Sequence, residues 1–477
     1  MINEKLIKEL EKVAGKEHVS VSPMDLKAYA YVQGTGADII GPKPADVIVI
    51  PKNTQEVSEV VKLANKFKVP IVPQGARTNS CGMNVAHKGG IVVDMRRVSE
   101  YLEIDEDNMV VVADGGCSVY WIMRELDKKG LRFPFMPLYT TGPQIGAGVS
   151  CNITGNYMTR YGSMGDNIVG LEVVMPTGEI VTFGPGAMKT GPGWGHYQRY
   201  VGGPDLMGLF VNASGTMGIV TKVAVRIKPR PEREEILCYG WKREHAKELT
   251  EAMYQMQRRF VYDFFLINRW NYHSAEVQGT IALPEDAHFI AMVSIDAASD
   301  EELKLEKARI VKIAEDNKAM DLGNLGNLTM GSPHYRIWLS VSKWMQRIEA
   351  TYFWCPVKKF TEVYDIWEDV TRKYNFWDEE HCPAWFSFHG RNTCNPYPML
   401  AKANPTDPKE LEQMKLWWDE LNIKLCAIGC VQYDLGDSFP DQNHEVLGEQ
   451  WNLTKKIKKF LDPNGIMNPS RTYGDLK

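Results

Sequence analysis

Residues 73–85 read PQGARTNSCGMNV and follow a strand-like apolar run, VPIVP, at 69–73. Small residues at the end of a strand let backbone approach a ligand closely, and successive N–H groups can form an anion-binding nest. Here those groups belong to Gly75, Ala76, Arg77, Thr78, Asn79 and Ser80, and the Arg77 side chain can add positive charge. The spacing is neither GxxxxGK[ST] nor GxGxxG, so it points to neither a P-loop nor a Rossmann turn. A plain strand–turn–strand connection would read the same from this loop alone. A second small-residue stretch, TTGPQIGAGVSCNITGNYMTRYG (140–162), brings Gly142, Gly146, Gly148 and Gly155. A third, GGPDLMGLFVNASGTMGIV (202–220), ends in a Gly-Ile-Val strand. Two such loops and that strand can enclose a long, flat ligand carrying a pyrophosphate.

The elements that would position these loops follow from hydrophobic periodicity. PADVIVIP (44–51) reads as a buried strand, NTQEVSEVVKLANKFK (53–68) as an amphipathic helix with Thr54 as N-cap, and 88–95 and 108–116 as further strands. This is a βαβ rhythm. IVGLEVVMPTGEIVTFG (168–184) predicts a hairpin turning at Pro176-Thr177-Gly178, and GIVTKVAVRIKP (218–229) a long strand. PRPEREE (229–235) mixes proline with charge, which makes it a candidate linker or domain edge. From about 235 to 440, four amphipathic helices alternate with strands such as HFIAMVSIDA, which predicts helices over an antiparallel sheet. Most tryptophans fall there, and core packing is their expected role.

A chain of 477 residues is long enough for two or three cores. Its apolar share of 44% and charged share of 24% are those of a soluble globular protein. A net charge of −5 offers no electrostatic ground for nucleic acid or an anionic membrane as partner. No apolar run approaches the roughly 18–20 residues needed to cross a bilayer. The N-terminal MINEKLIKELEKVAGKE reads as a charged amphipathic helix and not as a signal peptide. The nine cysteines form no CxxC pair, which fits a reducing cytoplasm. Cys426 and Cys430 could share one helix face, with packing as the expected role.

The block from about Lys43 to Pro231, together with the tail LDPNGIMNPSR (461–471), resembles the FAD-linked oxidases. Their flavin domain is of the vanillyl-alcohol-oxidase, or p-cresol-methylhydroxylase, type, and the family includes D-lactate dehydrogenases and the glycolate oxidase D subunit. The resemblance implies an α+β protein. A two-subdomain FAD-binding domain would occupy 1–231, with its core at 43–231. An α+β substrate (cap) domain with an antiparallel sheet would follow at 232–440, and 441–477 would return to the flavin domain. Pro73 and Gln74 would lead into the loop Gly75, Ala76, Arg77, Thr78, Asn79 and Ser80, wrapped around the FAD pyrophosphate. Pro143, Gly146, Gly148, Ser150, Asn152 and Gly155 would line the ribityl and isoalloxazine side. Gly218, Ile219 and Val220 would meet the adenine end, and Asn468 would close the site.

Chemistry of this kind removes hydride from a carbon beside oxygen or an aromatic ring, while the protein supplies position, a proton acceptor and charge stabilisation. His389 and Arg391 lie two apart, so on a strand they share a face. His389 is the candidate proton acceptor and Arg391 the candidate anion support, with Tyr433 as a substrate hydrogen-bond donor or base. The hydroxy-acid branch of the family commonly carries metal-binding HxGDGxxH and GEHG stretches. The corresponding AWFSFHGRNTCNPYPML (384–400) keeps only His389 and CVQYDLG (430–436) has no histidine, so no metal is expected.

The stretch 182–210 resembles the aryl-alcohol and alkylphenol branch instead, yet two of that branch's three phenolate contacts are replaced, by Cys81 and Asp434. Thr351 stands where that branch's flavin-linking histidine would fall, and non-covalent FAD is expected, with Tyr352 the alternative tether. Tyr161 and Asp166 are expected to be structural; His196 could reach the flavin mouth. The expected activity is an FAD-dependent dehydrogenase of a small alcohol, with a 2-hydroxy acid slightly ahead of a benzylic or phenolic substrate. A flavin-carrying electron-transfer subunit is the alternative from another class. The electron acceptor, a protein or a quinone, stays open, and a homodimer is the expected assembly.

Overall fold

The computed structural model describes residues 2–31, 41–78, 82–137, 142–188, 197–259, 261–269, 283–325, 349–350, 353–377, 384–389, 393–400, 407–433 and 443–469. For 349–350, 384–389, 393–400 and 443–446 the description is of backbone alone.

In the helix Thr54–Phe67, Val57, Val60, Val61 and Ala64 recur at helical spacing and are fully buried. They pack with Leu6 and Leu10 of the helix Glu4–Ala14 over a four-stranded sheet. Its order is Val19–Ser20, Val47–Val49, Ile91–Asp94, Ile71–Gln74, and the last three strands run parallel. The helix is the crossover that parallel pairing demands. Its N-cap is Asn53, whose side chain accepts the Glu56 N–H, and not Thr54. The Thr54 hydroxyl donates instead to Glu172 at 2.7 Å, tying this layer to the next.

That next layer is a five-stranded antiparallel sheet in the order Ile180–Phe183, Ile168–Val174, Ile219–Arg226, Val110–Asp114, Leu102–Asp105. The hairpin turns at 176–178 with Gly178 at φ +88°, and the Ser58 hydroxyl donates to the Gly178 carbonyl. Val174 and Ile219 share one core with Val57 and Val61, so the two sheets form one body.

The strand Arg233–Trp241 opens a nine-stranded sheet that also holds Val261–Asn268, Phe289–Ala297, Ala384–His389 and Thr393–Leu400. Of the two readings of PRPEREE, the linker fails for its charged half, which is strand from Arg233 onward: extended backbone places Glu234 against Arg132, and Arg233 against Asp300 at 2.6 Å. Four helices, Ala246–Met256, Asp300–Asp316, Phe360–Lys373 and Pro408–Ala427, cover one face of the sheet around Trp241, Trp367 and Trp417. The helix ends at Ala427 and Gly429 takes φ +89°, so Cys426 and Cys430 do not share a helical face.

The opposite face of this sheet rests on the segment after Gly155. The Tyr157 N–H donates to Asp263 at 3.1 Å, the Phe264 N–H to Thr159 at 3.1 Å, and Arg160 meets Asp296 at 2.6 Å. Arg132 is buried there between the rings of Tyr157 and Tyr262, at 4.7 and 5.2 Å. Burial works against its charge, but Tyr157 and Glu234 prevail and the guanidinium stays firmly protonated.

Candidate functional site

The strand Ile71–Gln74 delivers Pro73 and Gln74 to the mouth of the first glycine loop. Gln74 is buried, its amide N–H₂ donating to the Asn84 carbonyl. Gly75 faces the helix Ile145–Ser150 so closely that a Cβ there would lie 2.8 Å from the Ala147 Cβ and 3.1 Å from Gln144 Oε1. A Cβ on Gly142 would lie 2.5 Å from the Thr78 methyl and 4.0 Å from the Ala76 Cβ. The two small-residue stretches, some seventy positions apart in the chain, therefore touch. Arg77 takes a left-handed φ of +58°, and its guanidinium stacks 4.3 Å over Tyr29 while donating to the Ala28 carbonyl. That contact engages the charge the sequence offered to an anion. Asn79, Ser80 and Cys81 lie outside the described residues.

Other glycines in the set answer to protein packing. The Gly146 N–H donates to the Gly115 carbonyl at 2.8 Å, and a Cβ there would lie 2.9 Å from the Val220 carbonyl oxygen. A Cβ on Gly155 would lie 1.9 Å from the Met136 carbonyl oxygen, and one on Gly218, at φ +156°, would meet Val173 at 2.7 Å. Gly148 faces Ile153, and the Pro143 carbonyl accepts the Val119 N–H at 2.9 Å. Ile219 and Val220 are buried at the start of the central strand.

The C-terminal end of the helix Ile145–Ser150 exposes carbonyls that need donors. Asn212 N–H donates to Val149 at 3.1 Å and Ser214 N–H to Ser150 at 2.8 Å. Asn152, Asn212 and Ser214 all take positive φ to make this fit, at +44°, +56° and +53°. The Asn152 side chain accepts the Gly165 N–H at 2.8 Å. Tyr433 completes the cap: its hydroxyl donates to the carbonyls of Cys151 and Asn152, its own carbonyl accepts from the Asn212 amide at 2.9 Å, and Trp354 packs edge-on at 5.4 Å. The phenol thus holds the loop.

The C-terminal tail docks on the edge of the four-stranded sheet. Ile71 N–H donates to Ile466 and Asn468 N–H to Ile71, both at 2.7 Å. Asp462 accepts the N–H groups of Ile466 and Met467 and the ammonium of Lys458, which also donates to the carbonyls of Thr216 and Met467. Burial pulls the Lys458 ammonium down from its ordinary pKa while Asp462 opposes the shift. The Asn468 amide donates to Met83 at 3.0 Å and Ser214 at 2.6 Å, so one side chain joins the tail to two neighbouring loops. Lys458, Asp462, Asn84, Asn212 and Ser214 are the residues here that no sequence motif singled out. The four-residue spacing of Lys458 and Asp462, the latter opening the Asp-Pro-Asn-Gly turn, was the one available signal.

Several buried polar atoms around these loops have no partner among the described residues: Gln74 Oε1, both side-chain atoms of Asn84, Gln144 Oε1, Asn212 Oδ1 and Asn468 Oδ1. Each such atom costs about 1–3 kcal/mol when left unbonded. Gathered around a wall where Gly75 tolerates no side chain, they suit a ligand with many donors and acceptors, as FAD is. His389 is the last residue of its strand and pairs with Thr393; its side chain, and Arg391 entirely, lie outside the described residues, as do His196, Thr351, Tyr352 and Asp434. Among the described residues, no group of three or more His, Cys, Asp or Glu could hold a metal ion, and no helix is long and apolar enough to cross a membrane.

Comparison with known proteins matches this geometry. Residues 45–184 match the family described as FAD binding domain, and residues 442–472 match FAD linked oxidases, C-terminal domain. The chain is 24% identical to glycolate oxidase subunit GlcD of Bacillus subtilis (strain 168), over 99% of this chain and 97% of that protein. It is 24% identical to D-lactate dehydrogenase of Anaerostipes hadrus, over 91% of this chain and 90% of that one. A crystal structure of p-cresol methylhydroxylase with substrate bound shares the fold at a TM-score of 0.85 and 17% identity, covering 99% of this chain and 97% of that one. With an FAD binding domain matched over its glycine loops, the C-terminal domain of FAD linked oxidases matched over its docked tail, and the whole α+β fold shared, the chain is an FAD-dependent oxidoreductase.

Proposed function

We propose that this chain is a dehydrogenase of a small 2-hydroxy acid. The observation that carries this reading is similarity along nearly the whole chain, cap included, to proteins named for glycolate and D-lactate. FAD, when bound, supplies the two-electron acceptor for the hydride. The chain's residues do the rest. Pro73 to Ser80 hold the pyrophosphate; Pro143, Gly146, Gly148, Ser150, Asn152 and Gly155 line the ribityl and ring side. Gly218 to Val220 lie toward the adenine, and Asn468 closes the strap. His389 takes the hydroxyl proton and Arg391 holds the substrate carboxylate. Tyr433 acts one step back, by fixing Cys151 and Asn152.

The stretch 182–210, which resembles the aryl-alcohol branch, carries Tyr197 and Tyr200 with 65% of each exposed, and tyrosines placed so openly do not enclose an aromatic substrate. The experiment is anaerobic titration of the purified flavoprotein with D-lactate, glycolate and 4-hydroxybenzyl alcohol. Bleaching of the flavin by either hydroxy acid supports the reading. Bleaching by the aryl alcohol alone overturns it in favour of the aryl branch. Reduction only by a copurifying protein turns it into an electron-transfer subunit.

A further inference from the structure

The final helix, Asn443–Leu461, breaks at Gly448, and its second segment presents two unlike faces. The inner face buries Trp451 and Lys458. The outer face leaves Leu453 59% exposed and Phe460 84% exposed, the latter the most exposed large apolar side chain among the described residues. These two lie seven apart, hence on one stripe, with Lys456 between them and Lys459 beside Phe460. Both lysines are exposed and form no ion pair among the described residues. No acidic residue occurs from Gln450 to Leu461. Just past the helix, the Asn464 amide donates to Asn65 at 2.8 Å, which brings the exposed Lys66 and Lys68 to the same corner. The net charge of −5 conceals this local concentration of cations.

Lysines in a last turn complement the helix dipole, which accounts for the charge. It does not account for a phenyl ring left in water among them. We propose that this stripe docks on an anionic phospholipid surface, Phe460 and Leu453 entering the headgroup boundary while Lys456 and Lys459 meet the phosphates. Protein interfaces are depleted in lysine and enriched in arginine, and every cation here is a lysine. Lysine stems flanking an exposed ring are the pattern of helices that lie in an interface. The association is peripheral and reversible, and it stands independently of the substrate reading. The same strap carries Asn468 to the glycine loops.

The test is sedimentation of the holoenzyme with vesicles of phosphatidylcholine, with and without phosphatidylglycerol, at low and high salt. The expected result is partition onto the anionic vesicles alone, reversed by salt. The pair Lys456→Glu and Lys459→Glu should lower partition about tenfold or more, and Phe460→Ser several-fold, with flavin content and Tm unchanged. Lys304→Glu, on the distant helix Asp300–Asp316, should leave partition unaltered. No partition at low salt, or equal partition by the variants, overturns the proposal. So does retention on an immobilised acidic protein by an enzyme that ignores the vesicles.

Discussion

The Tyr433 hydroxyl lies 3.1 Å from each of two backbone carbonyls, those of Cys151 and Asn152, and so joins the end of the strand Val431–Gln432, in the nine-stranded sheet, to the loop that follows the helix Ile145–Ser150. Tyr433→Phe removes the donor and leaves both carbonyls short of a partner. The expected cost is about 1–2 kcal/mol of stability, with a shifted flavin spectrum and an activity loss of about tenfold or less. The pH profile of kcat should not move. A loss of about a thousandfold together with a displaced pH profile would make the phenol the proton acceptor instead.

Gly75 abuts Ala147, and a branched side chain there must push the two glycine loops apart. Gly75→Val should fold, at a cost of about 1–3 kcal/mol, but lose most of its flavin. Flavin absorbance after gel filtration reads this directly. Gly203→Ala is the control, since nothing lies within 4 Å of a Cβ built there. Equal flavin retention by both variants would separate the loop from the cofactor.

Arg132, buried on the short strand Leu131–Arg132 that pairs with Lys228–Pro229, meets the largely buried Glu234 of the nine-stranded sheet. Arg132→Met leaves the carboxylate without its partner and should destabilise by about 3–5 kcal/mol. Adding Glu234→Leu should recover most of that loss, because two apolar groups replace the pair. Urea midpoints of the two variants and the parent check the cycle; a double variant no better than the single one contradicts it.

Glu420 joins the helices Phe360–Lys373 and Pro408–Ala427 through Lys373, Lys424 and Tyr374. The Lys373 hydrogen bond leads, burial opposes it, and Lys424 and Tyr374 reinforce it, bringing the carboxyl from its ordinary 4.5 down to about 2. A depressed carboxylate pKa contributes stability in full above 4.5, and that stability drains away as pH falls toward 2. Solvent screening keeps the contribution near 1 kcal/mol. Glu420→Gln should therefore melt earlier at neutral pH, and its gap from the parent should close between pH 4.5 and 2. A gap constant across that range would show that the contact carries no charge term.

Much of the fold was legible because periodicity reports which face of an element is buried. Val57, Val60, Val61 and Ala64 announce their helix, and near-continuous apolar runs announce the strands at 168–174 and 219–226. Boundaries were less legible. Asn53 took the cap from Thr54 because both can accept an N–H and only the turn geometry chooses between them. The strand at Arg233 began inside a charged stretch because salt bridges to Glu234 and Arg233 compensate residues that local propensity places in a loop.

The sequence by itself determined the glycine-rich loops, their order, and the tail signature, and from these the resemblance to FAD-linked oxidases, because such features are local and a short string contains them. It could not separate glycines that make room for a ligand from those that make room for protein. Gly75, packed on Ala147 next to orphaned polar atoms, and Gly155, packed on the Met136 carbonyl, read alike as letters. Nor could it foresee that Lys458, Asp462 and Asn468 would fasten loops far apart in the chain. Those contacts exist only once distant segments are packed, since hydrogen-bond partners are chosen by position in space and not by separation along the chain.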